Sequence, residues 1–446
     1  MLFINPKTTK PTEQDTHFFR EPNSGLLYLA AILHEYDFEV ELLDLEQYLH
    51  VSKAAVKSAL IDYSSSHHII GITSLTNNFQ KAMDYARIIR RKSPKKIIIF
   101  GGAHVSFLSK QILKRDYEKD KIIDLIVVGE AEISLPKLMQ LIKSNNITHQ
   151  DLMNIEQKIR KIPNLAYINS RGKYEYTGNQ SEIIDLNTLP LPARYKLRPV
   201  NFYYTVANII INRGCPNQCS FCSRQQLFKS TRLRSLQSID AEIRDIKSMQ
   251  TYEFINFYDN INLNLTFFEK LCTLLQNTYL QIPWGCELRV DNLSPKHVRL
   301  LQKSGCQVIA TGIESASKEV LRKNFKYQDP HKVKKGLEHL KKYDIPVQAY
   351  FVLGLPGETE QTFRKTLDYI KQLPLTEEDT INYFVATPYP GSRLWTEREE
   401  FGINIIEHDF TKYDCEHIIF ETKDLSYSQL KEMLQEAKDI ETSFMD

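Results

Sequence analysis

Three cysteines, Cys215, Cys219 and Cys222, fall inside eight residues of the stretch INRGCPNQCSFCSRQQLF. Soft thiolates at that density select zinc or an iron–sulfur cluster. A structural zinc site asks for four ligands, usually as two pairs. No histidine stands near the trio, and His297 is far along the chain. An iron–sulfur cluster is normally held by four cysteines. Three thiolates on a four-iron cluster leave one iron open to a small molecule. Zinc completed by a distant ligand and an open cluster both remain readings of the spacing. The other cysteines, Cys272, Cys286, Cys306 and Cys415, are scattered and read as buried thiols.

The chain that must position this trio has 446 residues, enough for two or three domains. A net charge of +2 with 25% charged residues gives no basic face for nucleic acid. The start, MLFINPKTTK, lacks the pattern of a signal peptide. No apolar run is long enough to span a membrane. A cytoplasmic protein with neither a nucleic-acid partner nor a membrane span is expected, and clustered cysteines there are metal ligands, not disulfides.

Residues 1–150 alternate apolar runs (LFINP, EVELLDLE, HHIIGITSL, KKIIIFGGAH, IIDLIVVGEAE) with helical patterns such as NFQKAMDYARIIRRKS. Continuous apolar strands separated by helices predict a parallel sheet covered on both faces, a doubly wound, Rossmann-like α/β domain. Ligands of such domains bind beyond the carboxyl ends of the strands. The loops after Pro6, Ile72, Phe100 and Val128 are therefore the ones to watch. Residues 151–204 read as a connector with a hairpin turning at Arg171-Gly172.

Residues 205–395 repeat a strand and a helix six times, which predicts a partial (β/α)6 barrel. The strands are VANIIINRG, FINFYDN, IPWGCELRV, CQVIATGIES, PVQAYFVLGLPGE and TINYFVATPYPG. One linking helix is expected to start at Ser294-Pro295 and to end before Gly305. The residues able to do chemistry fall at strand ends. These are the cysteines after the first, Asp259 after the second, Arg289 at the third, Glu314 at the fourth and Gly354 to Glu358 at the fifth. Residues 396–446 form a short helical C-terminal extension.

The triad Cys215-x3-Cys219-x2-Cys222 after a first barrel strand resembles the radical S-adenosylmethionine (SAM) superfamily. The order of CSFCSRQQLF, FYDN, GCELRVD, TGIES, YFVLGLPGET and PYPGS is similar to its branch with a cobalamin (B12)-binding domain. SGLLYLAAIL, GITSLT, GGAHVSF and VVGEAE resemble that domain itself. The likeness runs to about residue 395. It implies a 4Fe–4S cluster on the three cysteines and SAM on the open iron. One-electron cleavage of SAM would then yield a radical that abstracts hydrogen, with cobalamin as the source of a methyl group. The implied activity is a methyltransferase on carbon or phosphorus of a small metabolite, served by a one-electron donor such as flavodoxin or ferredoxin.

The resemblance also implies roles. Phe221 would lie against the adenine. Asp259 or Asn260 would hold the SAM amine; relatives often carry two acids there, so the asparagine is a departure. Arg289 would pair with the SAM carboxylate, and Glu314 would sit at the ribose or methionine end. Leu353 and Gly354 would form a backbone ledge by the adenine, and Pro388 to Ser392 the far rim. Ser74, Thr76, Gly101, Gly102 and His104 would contact the corrin or its tail. The stretch DTHFFR, from Asp15 to Arg20, imitates a lower-ligand motif but has arginine in place of glycine, and is read as coincidence. Three alternatives stay open: radical SAM chemistry without cobalamin, ring closure or rearrangement instead of methylation, and a non-catalytic zinc scaffold. The blander readings of single residues are an ion pair for Arg289 and for Glu314, a turn residue for Asp259, a polar loop residue for His104, and a structural thiol for Cys415.

Overall fold

The computed structural model describes residues 1–8, 21–48, 51–145, 147–197, 204–277 and 282–443. The chain forms two units, one of residues 1–13 with 23–203 and one of residues 14–22 with 204–446. The imitation motif at Asp15 to Arg20 lies outside the described residues.

The first unit is a seven-stranded sheet. Its strands are β1 (Leu2–Asn5), β2 (Glu41–Asp44), β3 (Ile69–Thr73), β4 (Ile97–Gly101), β5 (Leu125–Val127), β6 (Leu165–Ile168) and β7 (Tyr174–Tyr176). They lie in the order β2-β1-β3-β4-β5-β6-β7, with the first five parallel. Helices Ser24–Glu35, Lys53–Ser65, Phe79–Lys92 and Ala103–Lys119 make the crossovers between the parallel strands, and Ser134–Asn145 follows β5. The runs Leu2 to Ile4, Ile97 to Phe100 and Leu125 to Val127 are buried throughout, because helices cover both faces of a parallel sheet. Strand order reverses between β1 and β3, which creates the crevice where such folds take ligands. Asn78 joins the two loops there: its Nδ2 donates to the Pro6 carbonyl at 3.3 Å and its Oδ1 accepts from Leu75 N–H at 2.8 Å.

The expected connector departs from its reading. Its hairpin does turn at Arg171-Gly172, with Gly172 at φ +72° and its N–H on the Asn169 carbonyl. Yet β6 pairs antiparallel with β5, so the sheet continues and the first unit ends at 203 instead of 150. The cause is apolar: Leu165, Ala166 and Tyr167 are fully buried and cover what would otherwise be an open edge at β5.

The second unit holds β8 (Val206–Ile209), β9 (Asn212–Arg213), β10 (Arg232–Leu233), β11 (Phe254–Asn260), β12 (Trp284–Glu287), β13 (Cys306–Glu314), β14 (Val347–Leu353) and β15 (Thr380–Val385). Six of them form an all-parallel sheet, β15-β14-β13-β12-β11-β8, while β9 and β10 pair as a short ribbon. Burial alternates along β14 and β15. One set of side chains packs under the helices, among them Ile255, Phe257, Phe351 and Tyr383. The other set, including Asn256, Tyr258, Gln348 and Tyr350, lines a cavity instead of filling a packed layer. The helix Pro295–Lys303 follows Ser294, and Gly305 beyond it stands at φ +82°. The extension adds an antiparallel pair, β16 (Ile403–Ile405) with β17 (Phe420–Thr422), ahead of the helix Tyr427–Ser443. Among the described residues no helix is long and apolar enough to cross a membrane.

Candidate functional site

The thiol loop begins where β9 ends. Gly214 takes φ +80°, and a Cβ there would stand 2.5 Å from the Ser230 carbonyl, so only glycine lets the chain turn into the loop. Cys222 N–H closes a turn on the Cys219 carbonyl at 3.1 Å, and Asn217 Nδ2 reaches Cys215 Sγ at 3.5 Å. Ser220, fully buried, anchors the loop. Its N–H donates to the Asn324 carbonyl at 3.0 Å and its hydroxyl to Asn324 Oδ1 at 2.7 Å. Its carbonyl accepts Leu394 N–H at 2.9 Å. Asn324 Nδ2 in turn donates to Val320 O and Pro356 O. The loop is thus tied to the segments after β13, β14 and β15 at once. Phe221 is half-buried against an apolar cluster that includes Val320, Leu355 and Leu394, so much of its ring serves packing.

Cys215 and Cys219 are partly buried and Cys222 is exposed. Burial pushes the Cys219 thiol up to about 11; Cys222, Glu314 and Cys215 push the same way, while Lys326 opposes them. Among the described residues no three His, Cys, Asp or Glu side chains are arranged to hold a metal ion as placed, so the trio is gathered on one loop without closing into a cage.

Glu314 ends β13 in the left-handed region, at φ +63°, and pairs with Lys326 at 2.8 Å, both largely buried. Gly312 makes the room: a Cβ there would lie 2.2 Å from Glu314 Oε1. Burial lowers the Lys326 pKa, but Glu314 and Cys219 outweigh it and the net shift is upward, so the lysine stays charged beside the thiols. Arg289, the expected partner of a ligand carboxylate, already has an ion-pair partner in Asp291. It forks onto Asp291 at 3.0 and 2.8 Å and also donates to the Tyr327 carbonyl at 2.5 Å. The backbone ledge is likewise occupied, since Leu353 O accepts Ala386 N–H at 2.8 Å and Gly354 N–H donates to Glu358 Oε2 at 2.6 Å. Asn260 Oδ1 is buried with no hydrogen-bond partner among the described residues. The Asp259 side chain lies outside what is described. Within PYPGS, Ser392 caps the helix Arg393–Thr396, and the Tyr389 hydroxyl lies 3.4 Å from Cys415 Sγ.

In the first unit the expected residues meet at the ends of β3 and β4. Ser74 N–H donates to Gly101 O at 2.9 Å, and the buried Ser74 hydroxyl has no partner among the described residues. Gly102, at φ +98°, comes so close to Ser74 that a Cβ would stand 2.5 Å from its carbonyl oxygen. Gly101 and Gly129 face open space, with nothing within 4 Å of a built Cβ. This leaves a cradle beyond the strand ends. His104 is 1% exposed, with Nδ1 3.2 Å from Thr76 Oγ1 and its ring 4.5 Å from that of Phe79. Burial lowers its pKa to about 3, so it is neutral.

Sequence reasoning missed Ser220, Asn324, Lys326 and Glu21. The first stands between two cysteines and drew no attention beside them. Asn324 and Lys326 flank the end of the helix Lys318–Lys323, in NFKYQ, where nothing in the local pattern points to the loop a hundred residues earlier.

Two family models match, the radical SAM superfamily over residues 209–370 and the B12 binding domain over residues 16–139. An uncharacterised methyltransferase of Pyrococcus horikoshii is 26% identical over 426 residues, covering 93% of this chain and 86% of that protein. The anaerobic magnesium-protoporphyrin IX monomethyl ester cyclase of Rubrivivax gelatinosus is 27% identical over 355 residues, covering 78% of this chain and 60% of that protein. The solved structure of the radical SAM methyltransferase TsrM from Kitasatospora setae, with cobalamin and a 4Fe–4S cluster bound, shares the fold. It aligns at TM-score 0.75 and 16% identity over 100% of this chain and 88% of that one.

Proposed function

The chain belongs to the radical SAM superfamily, in the branch with a B12-binding domain, and we propose from that premise that it is a cobalamin-dependent methyltransferase acting on an unactivated carbon or phosphorus of a small metabolite. The observation that carries the reading is the thiol loop at the carboxyl end of the six-stranded sheet, fixed through Ser220 and faced by Lys326. Cys215, Cys219 and Cys222 would hold the cluster; three soft thiolates suit iron–sulfur better than a four-ligand zinc site. When bound, the cluster and SAM supply one-electron cleavage, and cobalamin supplies a methyl group.

The chain's own residues bind and orient. Lys326 places positive charge beside thiols that burial disfavours as thiolates. The unpartnered Asn260 oxygen suits a donor such as the SAM ammonium. Gly101 leaves room for a large flat ring system, Ser74 offers a buried hydroxyl, and Gly102 holds the two loops together. His104 and Thr76 support this floor from below, as a neutral pair. Electrons would come from a flavodoxin or ferredoxin in the cytoplasm. Ring closure is a second reading, favoured by the likeness to the cyclase.

The test is metal content and SAM turnover on protein purified without oxygen from cells supplied with cobalamin. About four irons per chain, cobalt near one per chain, and transfer of label from methyl-labelled SAM are expected. Iron without cobalt would remove the methyl carrier from the reading. Zinc alone, with no SAM cleavage, would overturn it.

A further inference from the structure

Inside the second unit lies a cavity of about 230 Å³ among β11, β12, β13 and β14. Its polar lining comes from Asn256, Tyr258, Glu287, Gln348 and Tyr350, and from Glu21. Glu21 is far from the others in sequence, but it belongs to this same unit. Inward asparagines hold it. Asn208 on β8 and Asn256 on β11 are direct neighbours in register. The Asn256 amide donates to Glu21 Oε1, and the Asn208 amide lies beside the same carboxyl while donating to the Pro22 carbonyl at 3.1 Å. Cross-strand amides gathered at one carboxyl are a built feature, because a buried acid without donors is costly.

Neither Glu21 nor Glu287 forms an ion pair among the described residues, and no lysine, arginine or histidine is among the residues lining the cavity. Burial raises the Glu287 pKa, and Arg224 and Lys326 oppose it by favouring the charged form. Burial raises the Glu21 pKa to about 7 against the asparagine bonds, and the charge of Glu287 pushes the same way. Two carboxyls lining one partly open cavity are relieved together by a cation between them. The remaining walls, Val308, Ala310 and the two tyrosine rings, suit an apolar body.

We propose that this chamber takes a small substrate carrying a cationic nitrogen, held by Glu21 and Glu287, and excludes anionic ones. The inference rests on the reading of the second unit as the catalytic barrel and names the class of substrate it would accept. It is tested by calorimetric titration of the full chain, purified without oxygen, with three probes of one size: phenethylammonium, 2-phenylethanol and 3-phenylpropionate. The cation is expected to bind at least tenfold more tightly than either other probe. Glu21→Gln and Glu287→Gln are each expected to bring it level with the alcohol. The second variant removes a carboxylate without a hydrogen-bond partner among the described residues, so it serves if the first disturbs folding. Equal binding of the three probes, or of none, by the wild-type chain would overturn the inference, as would variants that keep the preference. Loss of cation binding when saturating SAM is added would assign the carboxyls to the SAM ammonium and overturn it too. Wild-type protein that cleaves SAM but shows no preference fails this inference alone. Protein that prefers the cation but never cleaves SAM fails the functional reading alone.

Discussion

Ser220, between the second and third thiols, is bonded twice to Asn324, once through its N–H and once through its hydroxyl. Asn324 is itself fully buried, and its amide bridges Val320 and Pro356. The position of the thiols is therefore set by a residue a hundred places away. Asn324→Ala leaves the Pro356 carbonyl and the Ser220 hydroxyl buried without partners, while the Val320 carbonyl keeps the backbone N–H of residue 324. This costs about 1–3 kcal/mol for each group left unmet. Ser220→Ala removes only the hydroxyl bond and should cost about 1 kcal/mol. Urea denaturation measures both. Iron per chain after anaerobic reconstitution should fall in the same order, because the loop loses its anchor while keeping all three cysteines.

The Glu314–Lys326 pair makes a second prediction. Removing one partner of a buried ion pair costs about 3–5 kcal/mol, whereas removing both costs far less. Lys326→Met should therefore destabilise strongly, and Lys326→Met with Glu314→Gln should recover most of the loss. Gly312→Ala should mimic part of this, since its Cβ would fall on the Glu314 carboxylate. A double-mutant cycle by denaturation reads the coupling, and additive losses would show that the two side chains act independently.

Adjacent glycines in the first unit should behave oppositely. Gly102→Ala puts a Cβ against the Ser74 backbone at a positive φ. It should lower the melting temperature clearly, since neither backbone can yield. Gly101→Ala meets nothing within 4 Å and should leave the melting temperature nearly unchanged. If the cradle takes the corrin, Gly101→Ala should weaken cobalamin binding in spite of that stability. Equilibrium binding followed by the visible absorption of cobalamin separates the two effects.

Much of this was legible in the sequence for a physical reason. Strands of a covered parallel sheet are continuous apolar runs, so IIIF and LIVV announce themselves. The six barrel strands were legible as largely apolar runs ending in polar or glycine turns, and the thiol loop by the spacing of its cysteines. The hairpin of residues 165–176 could not be assigned to the sheet, because short alternating strands look the same whether they join a sheet or cross a linker. Arg289 was legible as a guanidinium at a strand end and an ion pair was among its readings, but Asp291 two residues on was not named as the partner. Lys326 and Glu21 reach their partners only through tertiary structure. No local period records that a lysine after one helix faces a cysteine loop, or that a glutamate near the amino terminus enters the barrel.

The two units can serve as each other's control when pH is varied. Glu358 is fully buried, and burial raises its pKa from 4.5 to about 8 in spite of the Gly354 N–H it accepts. Its folded pKa lies above its unfolded one, so its contribution is complete below about pH 4.5 and is lost as pH rises towards 8. His104 works in the other direction. Its pKa falls from 6.5 to about 3 on burial, so its contribution is complete above about pH 6.5 and is lost as pH falls towards 3. Each is worth on the order of a few kcal/mol across its window. Raising the pH from 6 to 8 should thus weaken the second unit and slightly strengthen the first, and lowering it from 6 to 4 should do the reverse. Hydrogen exchange followed by mass spectrometry on the whole chain reads the two units separately. Glu358→Gln should lessen the alkaline loss in the second unit alone, the remainder following Glu21, whose pKa burial also raises, to about 7. If protection in both units moves together with pH, these two buried groups do not govern it.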